Sequence, residues 1–446
     1  MGNKVVSVTV SFLFLLLIVL NSYAITPNPI ISRGKPVFGS PSSNITSLVN
    51  GKYGDVWMVS NGSWAAIDVG TGYTKVLVNW NNTGGSWSDS IASATSCRQG
   101  MSIPVDYELL ASSNSTDGTD GDWKSVLTIQ NNTVSARSHS IDIGGANWVK
   151  MSVTKGGGFI DELEVFDLSK GGDDIWFFPG TSITAVSYKS TVPSKNFADF
   201  VNEKHASYNP AIIRGGIGCI NSTTMANDIS RYLDMTRNVK YWAIEMGTND
   251  AWGGGTYNLP AYIKNMQKII DSCKANNIQP IIARMIATDS AKAKWQVHPD
   301  FLKAIDSLTE INGLIPGPDL YAYFSKHPEE FSDGVHPNTT GALSLIRLWA
   351  EKMDSLYNET TVMKPELVVK SQAQSWLISI KSNAQFYTIT ANRSGTLTIH
   401  SLTGKLLTKT LLGQNESFSL AKTRVYSIIR FSSETGIENI VVANNL

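Results

Sequence analysis

The sequence predicts a multidomain protein: a central α/β domain on a parallel sheet, flanked by an N-terminal β-sandwich and a small C-terminal β-sandwich. Three observations predict it. Apolar runs alternate with helical patterns only between residues 173 and 357, the signature of strand–helix–strand units. Short alternating strands separated by Gly, Asn and Ser turns fill 26–168, and a second such stretch fills 366–446. The length of 446 residues accommodates several domains of about 100–200 residues each.

Composition narrows the function. Apolar residues make up 42% of the chain and charged residues 17%, enough apolar material for packed cores. The 37 Lys and Arg balance the 37 Asp and Glu, which argues against a protein that coats nucleic acid or anionic lipid. The three cysteines, Cys97, Cys219 and Cys273, are too few for a disulfide-stapled scaffold or a Cys-rich zinc site. They allow one pair and leave at least one thiol, expected to be buried and free. His139, His205, His298, His327 and His400 show no ligand spacing with cysteines or carboxylates, so no metal site is expected from them.

Residues 1–24 read as a secretory signal peptide. Lys4 gives the basic start, Phe12–Leu20 the dense apolar run, and Ser22-Tyr23-Ala24 the small residues before a cleavage point. The apolar run is short for a membrane span of about 20 residues, and no basic cluster follows. The expectation is a secreted or cell-surface protein with no membrane partner after cleavage.

In 26–168, Ala65–Val69 and Lys75–Trp80 read as strands around the Gly70-Thr71-Gly72 turn. Val105–Ala111, Trp148–Val153 and Ile160–Phe166 follow as further strands. Val49-Asn50-Gly51-Lys52 with Trp57, Trp64–Gly70, Pro104-Val105-Asp106-Tyr107 with Trp123, and Gly156–Phe166 occur here in order. With these residues the segment resembles the discoidin-like, galactose-binding β-sandwich modules. The resemblance implies carbohydrate binding, often with a structural calcium ion, and makes the loop aromatic Trp87 a candidate for stacking on a sugar ring.

In 173–357, Ile175–Phe178, Ala211–Ile213, Tyr241–Met246 and Pro280–Met285 read as buried strands. Asn196–Lys204, Met225–Leu233, Leu259–Asn276, Asp300–Leu308 and Ala342–Met353 read as helices. Such sheets place active sites at the carboxyl ends of their strands, and three short blocks fall there. Gly180-Thr181-Ser182 follows the first strand, Gly247-Thr248-Asn249-Asp250 follows the third, and Asp333-Gly334-Val335-His336 precedes the last helix. Ser182 on a glycine turn can reach a substrate carbonyl, but a hydroxyl is a weak nucleophile and needs a base. His336 can take and return that proton. Asp333, three residues earlier, can hold the ring in one tautomer and stabilise the imidazolium. The oxyanion needs donors: the Asn249 amide, a backbone N–H of the turn around Gly218, and the N–H of Ser182.

In this order the blocks resemble the SGNH (GDSL-type) hydrolase family of esterases. The resemblance implies a three-layer α/β/α fold, with Ser182 as nucleophile, Asn249 as oxyanion asparagine, and Asp333 and His336 as the closing pair. No cofactor is implied for catalysis. The chain departs from the family pattern twice. Thr181 stands where the family usually carries Asp, so the loop loses a charge. Cys219 stands at the usual oxyanion glycine, so the backbone donor is Gly218 or Cys219, and a thiol there could crowd the pocket.

Residues 358–365 read as a linker. Beyond it Tyr387–Thr390, Leu397–His400, Lys405–Leu407 and Val425–Phe431 read as strands. Leu397–Leu407 with Arg424–Val442 resembles the C-terminal sorting domains of the type IX secretion pathway, which implies secretion machinery as a partner. The leading expectation is a secreted carbohydrate esterase that deacetylates a polysaccharide such as acetylated xylan, its sandwich tethering the enzyme to the polymer. The alternatives are a lipase or arylesterase acting on small or lipidic esters, and a polysaccharide-binding protein impaired by Thr181 and Cys219.

Overall fold

A computed structural model describes residues 25–82, 102–188, 195–357, 378–382, 386–401, 406–421, 427–433 and 436–442. The signal segment, Trp87, Cys97 and the linker lie outside the described residues. No described helix is long and apolar enough to cross a membrane.

Among the described residues, nine strands build the N-terminal region in two antiparallel sheets. One sheet orders β1 (Val37–Ser40), β3 (Trp64–Asp68), β8 (Trp148–Gly156), β5 (Pro104–Ser112) and β6 (Lys124–Ile129). The other orders β2 (Trp57–Val59), β9 (Gly158–Asp167), β4 (Lys75–Asn82) and β7 (Ala136–Asp142). Strand periodicity decides what each face meets. Val76, Val78 and Trp80 of β4 enter a core shared with Ile67, Leu109 and Val149 of the other sheet. The intervening Leu77 packs with Ile213 of the central region, so this sheet is buried on both faces, its outer one also carrying the polar Asn79 and Asn81.

The central sheet is parallel and ordered β11 (Ala211–Gly216), β10 (Ile175–Gly180), β12 (Tyr241–Ile244), β13 (Gln279–Arg284) and β14 (Pro316–Asp319). Alternation again partitions the side chains. Phe177, Ile213, Trp242 and Ile282 join one core with the helices Leu259–Ala275 and Pro299–Asn312. Trp176, Phe178, Ile212, Tyr241 and Ile281 join another with the helices Phe197–Lys204 and Thr339–Met353. Truncating a buried aromatic such as Phe177 costs about 3–5 kcal/mol. The strand order reverses between β10 and β12, the place where open α/β sheets hold their ligands.

Met225–Leu233, expected as one helix, is two: Ser222–Asn227 and Ile229–Met235, broken at Asp228. Asn227 and Asp228 favour competing side-chain bonds over a continuous helix. The C-terminal region has two antiparallel sheets. One contains β15 (Ile378–Ser382), β16 (Phe386–Ala391) and β19 (Ser417–Ala421). The other contains β17 (Gly395–Ser401), β18 (Leu406–Leu412), β20 (Ser427–Ser433) and β21 (Gly436–Val442). Ile389, Leu397, Ile399 and Phe431 form its core.

Asp174 tests the electrostatics of this packing. Burial pushes its carboxyl up to about 8, against hydrogen bonds from Trp176 and Tyr357 that favour the charge. A raised folded-state value stabilises the protein fully below the unfolded value of about 4 and loses that contribution as pH rises towards 8. Asp174→Asn mimics the protonated acid. It is expected to flatten the fall in urea stability between pH 5 and pH 8; parallel slopes in both proteins would rule Asp174 out as its source.

Candidate active site

Ser182 is the first residue of the helix Ser182–Ser187, immediately after β10. The turn is tight because Gly180 has no room for a Cβ against Thr184 Oγ1. Thr181 caps the helix, its Oγ1 accepting from the Ile183 N–H at 3.3 Å, a contact that stabilises a helix by about 1 kcal/mol. The same hydroxyl donates to Glu245 Oε2 at 3.0 Å, and Thr184 Oγ1 donates to that oxygen at 3.3 Å. Thr248 Oγ1 lies 3.4 Å from the other Glu245 oxygen.

Glu245 therefore sits beneath the serine turn, bridging the ends of β10 and β12. Sequence reasoning assigned it no role. Burial pushes its carboxyl up, and the bonds from Thr181, Thr184 and Thr248 oppose that shift. The carboxyl group missing at Thr181 has a counterpart one strand away. The signal lay in pairing rather than spacing: Gly180 bridges Glu245 across the sheet, and the Thr181–Glu245 bond joins residues 64 positions apart.

The structure brings Ser182, His336 and Asp333 together. His336 Nε2 lies 2.8 Å from Ser182 Oγ, and His336 Nδ1 lies 2.7 Å from Asp333 Oδ2. An ionised carboxylate only accepts, so Nδ1 carries the hydrogen and Nε2 is left to accept from the serine. Asp333 Oδ1 accepts the backbone N–H groups of Val335 at 2.9 Å and His336 at 2.8 Å, so one side chain shapes the turn and orients the ring. Burial opposes ionisation of Asp333. The His336 and Val335 N–H groups and the His336 ring outweigh it and hold the carboxyl at about 2.

Asn249 Nδ2 donates to Ile220 O at 2.6 Å. A side-chain amide has two N–H groups, so this bond fixes the amide while the second N–H can serve a ligand. Asp250 accepts from the Ser222 N–H at 3.0 Å and from Ser222 Oγ at 2.6 Å. The two neighbours thus stitch the block after β12 to the turn after β11. Cys219 in that turn adopts φ +59°, the left-handed conformation that glycine takes without strain. Its sulfur is disulfide-bonded, which corrects the expectation of a thiol at this position. Cys273 is the buried free cysteine. Ser182 N–H is a first-turn helix donor with no intrahelical acceptor.

His327, expected to have no ligand spacing, lies with Glu329 and Glu330 so that one potential ligand atom from each falls within 4.8 Å. Its Nδ1 already pairs with Glu329 at 3.0 Å, and Glu330 accepts from Tyr323 Oη at 2.9 Å. Trp252, three residues after Asn249, is 58% exposed and packs against Trp295 at 5.2 Å between ring centroids. Neither aromatic was singled out in the sequence.

For the calcium implied for the N-terminal region, one carboxylate offers free oxygens; among the described residues no group of three acidic, His or Cys ligand atoms converges there. Glu162 is buried with both carboxylate oxygens lacking a hydrogen-bond partner. Burial and the neighbouring Glu164 push its carboxyl up to about 9, against Arg33 and the Gly51 backbone. Burial also pushes the Asp161 and Glu164 carboxyls up, against the charges of Arg214 and Arg33. Hard carboxylate oxygens suit calcium.

No family model matches the chain, and no curated protein does. The chain is similar in structure to a lipase/acylhydrolase from Enterococcus faecalis, at 18% identity and a TM-score of 0.34, over 41% of this chain and 95% of that one. It is similar to an acetyl xylan esterase from Geobacillus stearothermophilus, at 15% identity and a TM-score of 0.33, over 40% and 94%. A chitosan-binding module from a Paenibacillus chitosanase/glucanase is similar at 19% identity and a TM-score of 0.23, over 30% and 98%.

Proposed function

We propose that the chain is a secreted serine esterase that removes acyl groups, acetyl foremost, from a polysaccharide such as acetylated xylan. Its catalytic domain is a three-layer α/β/α unit between two β-sandwiches, and the C-terminal one engages secretion machinery. One observation carries the chemistry: the continuous chain of bonds from Ser182 through His336 to Asp333, at 2.8 and 2.7 Å.

Ser182 Oγ attacks the ester carbonyl carbon while its proton passes to His336 Nε2. The carbonyl oxygen becomes an oxyanion, met by the Ser182 N–H, the main chain of Gly218 and Cys219, and the second N–H of Asn249. Removing one such donor typically costs about 100–1,000-fold in turnover. Collapse breaks the ester C–O bond, and His336 returns its proton to the departing sugar oxygen. Water then attacks the acyl-enzyme, His336 takes its proton, and the acid leaves as Ser182 regains its hydrogen.

The bonds of Thr181 and Thr184 to Glu245 favour a working site over an impaired one. The exposed Trp252, packed on Trp295, offers the flat apolar surface that a sugar face can cover. The test is acetate release from acetylated xylan beside hydrolysis of p-nitrophenyl acetate. Release from both supports the reading. Activity on the small ester alone moves the substrate to another polymer or to lipid. Polysaccharide binding without hydrolysis would favour the impaired alternative.

Calcium is proposed as a structural ion only, held through Glu162 beside the Gly51 turn. Millimolar calcium is expected to raise the Tm of wild type and leave that of Glu162→Gln unchanged. Equal shifts, or none in wild type, would remove the ion from the account.

A further inference from the structure

The N-terminal sheets do more than sit beside the central domain. Asn79 and Asn81, on the outer face of β4, both donate to Ile212 O of β11, at 2.9 and 3.0 Å. Asn81 Oδ1 accepts the Arg214 backbone N–H at 3.0 Å. Two side-chain amides thus satisfy the edge of the parallel sheet as a neighbouring strand would. Arg137 pairs with Asp234 at 2.8 Å across the same boundary.

Arg214 is the centre of this contact. It is 3% exposed. Its guanidinium pairs with the buried Asp161 of β9, lies 4.4 Å from the Tyr53 ring centroid, and donates to Tyr188 O at 3.2 Å. Tyr188 is the C-terminal cap of the Ser182 helix, where a cation complements the helix dipole. Arg214 also immediately precedes Gly215-Gly216, and Gly216 packs so closely on Ala185 that no Cβ would fit. Ile217 and then the Gly218–Cys219 turn follow.

We propose that Arg214, anchored by Asp161, is a positioning residue that holds the Ser182 helix and the Gly218–Cys219 turn in register. The N-terminal sheets are then a structural part of the esterase site rather than only a tether to polymer. This rests on the esterase reading above. The planar guanidinium holds its donors to the acid and to the carbonyl in one fixed geometry, whereas an ammonium is a point charge on a flexible stem.

The experiment compares wild type, Asp161→Asn, Arg214→Lys and Asn81→Ala on p-nitrophenyl acetate, a substrate with no sugar to tether. Active sites are counted by fluorophosphonate titration, so misfolded protein drops out of kcat. Asp161→Asn is expected to lower kcat per titrated site roughly 10–100-fold, the loss that small misplacement of reacting groups produces, with KM little changed. Arg214→Lys should fall between it and wild type. Asn81→Ala, which leaves no buried charge unpaired, carries the test if Asp161→Asn does not fold. An unchanged kcat per site in the folded variants, or a loss seen only on acetylated xylan, overturns the proposal. A wild type inactive on every ester would instead overturn the esterase reading.

Discussion

Ser182→Ala is expected to lower kcat on p-nitrophenyl acetate by about 10^6-fold, the cost of removing the nucleophile from a comparable triad. His336→Ala is expected to cost about as much, and the double variant little more than either alone. Residues that act as one unit do not add, and the 2.8 Å contact between Ser182 Oγ and His336 Nε2 makes these two a unit. Additive losses would mean that the two side chains serve separate steps. Residual rate should remain above the solvent reaction if the proposed oxyanion donors, Asn249 and the Ser182 N–H, still act without the nucleophile.

Asp333→Asn is expected to cost about 10^4-fold in kcat with KM little affected. The substitution keeps the shape but replaces an acceptor with a donor opposite His336 Nδ1. That favours the tautomer in which Nε2 carries the hydrogen and cannot take the serine proton. The native carboxyl, held at about 2, contributes stability in full above its unfolded value of about 4, lost progressively as pH falls from there through 2. Asp333 therefore stays charged wherever the enzyme is assayed, and the acid limb of its pH–rate profile must belong to another group. A variant that retained a tenth of wild-type kcat would show that the ring is oriented without this carboxylate.

The parallel sheet was legible because its strands are buried on both faces and read as unbroken apolar runs, Trp176–Phe178 and Tyr241–Ile244 among them. β14 was not. Pro316-Gly317-Pro318-Asp319 has the composition of a turn, and it is a strand only because it lies at the sheet edge, where proline costs no ladder bond. Ser182, Asn249, Asp333 and His336 could be read because each sits in a short local block. Glu245 and Arg214 could not, since their partners lie across strands or across the boundary between the N-terminal sheets and the central region. A carboxylate beneath Thr181 becomes visible only once β10 and β12 are side by side. Asp161 is likewise one acid in an Asp-Glu-Leu-Glu run until β9 is laid against β11. The disulfide at Cys219 was open for a different reason: three cysteines with no local spacing permit any pairing.

The most direct test is to label the protein with a fluorophosphonate and map the adduct by peptide mass spectrometry. The account predicts one adduct per chain, on Ser182, with esterase activity lost in step and no labelling of His336→Ala on the same timescale. A protein that hydrolyses esters while Ser182 stays unmodified, or that is labelled first at another serine, would contradict it.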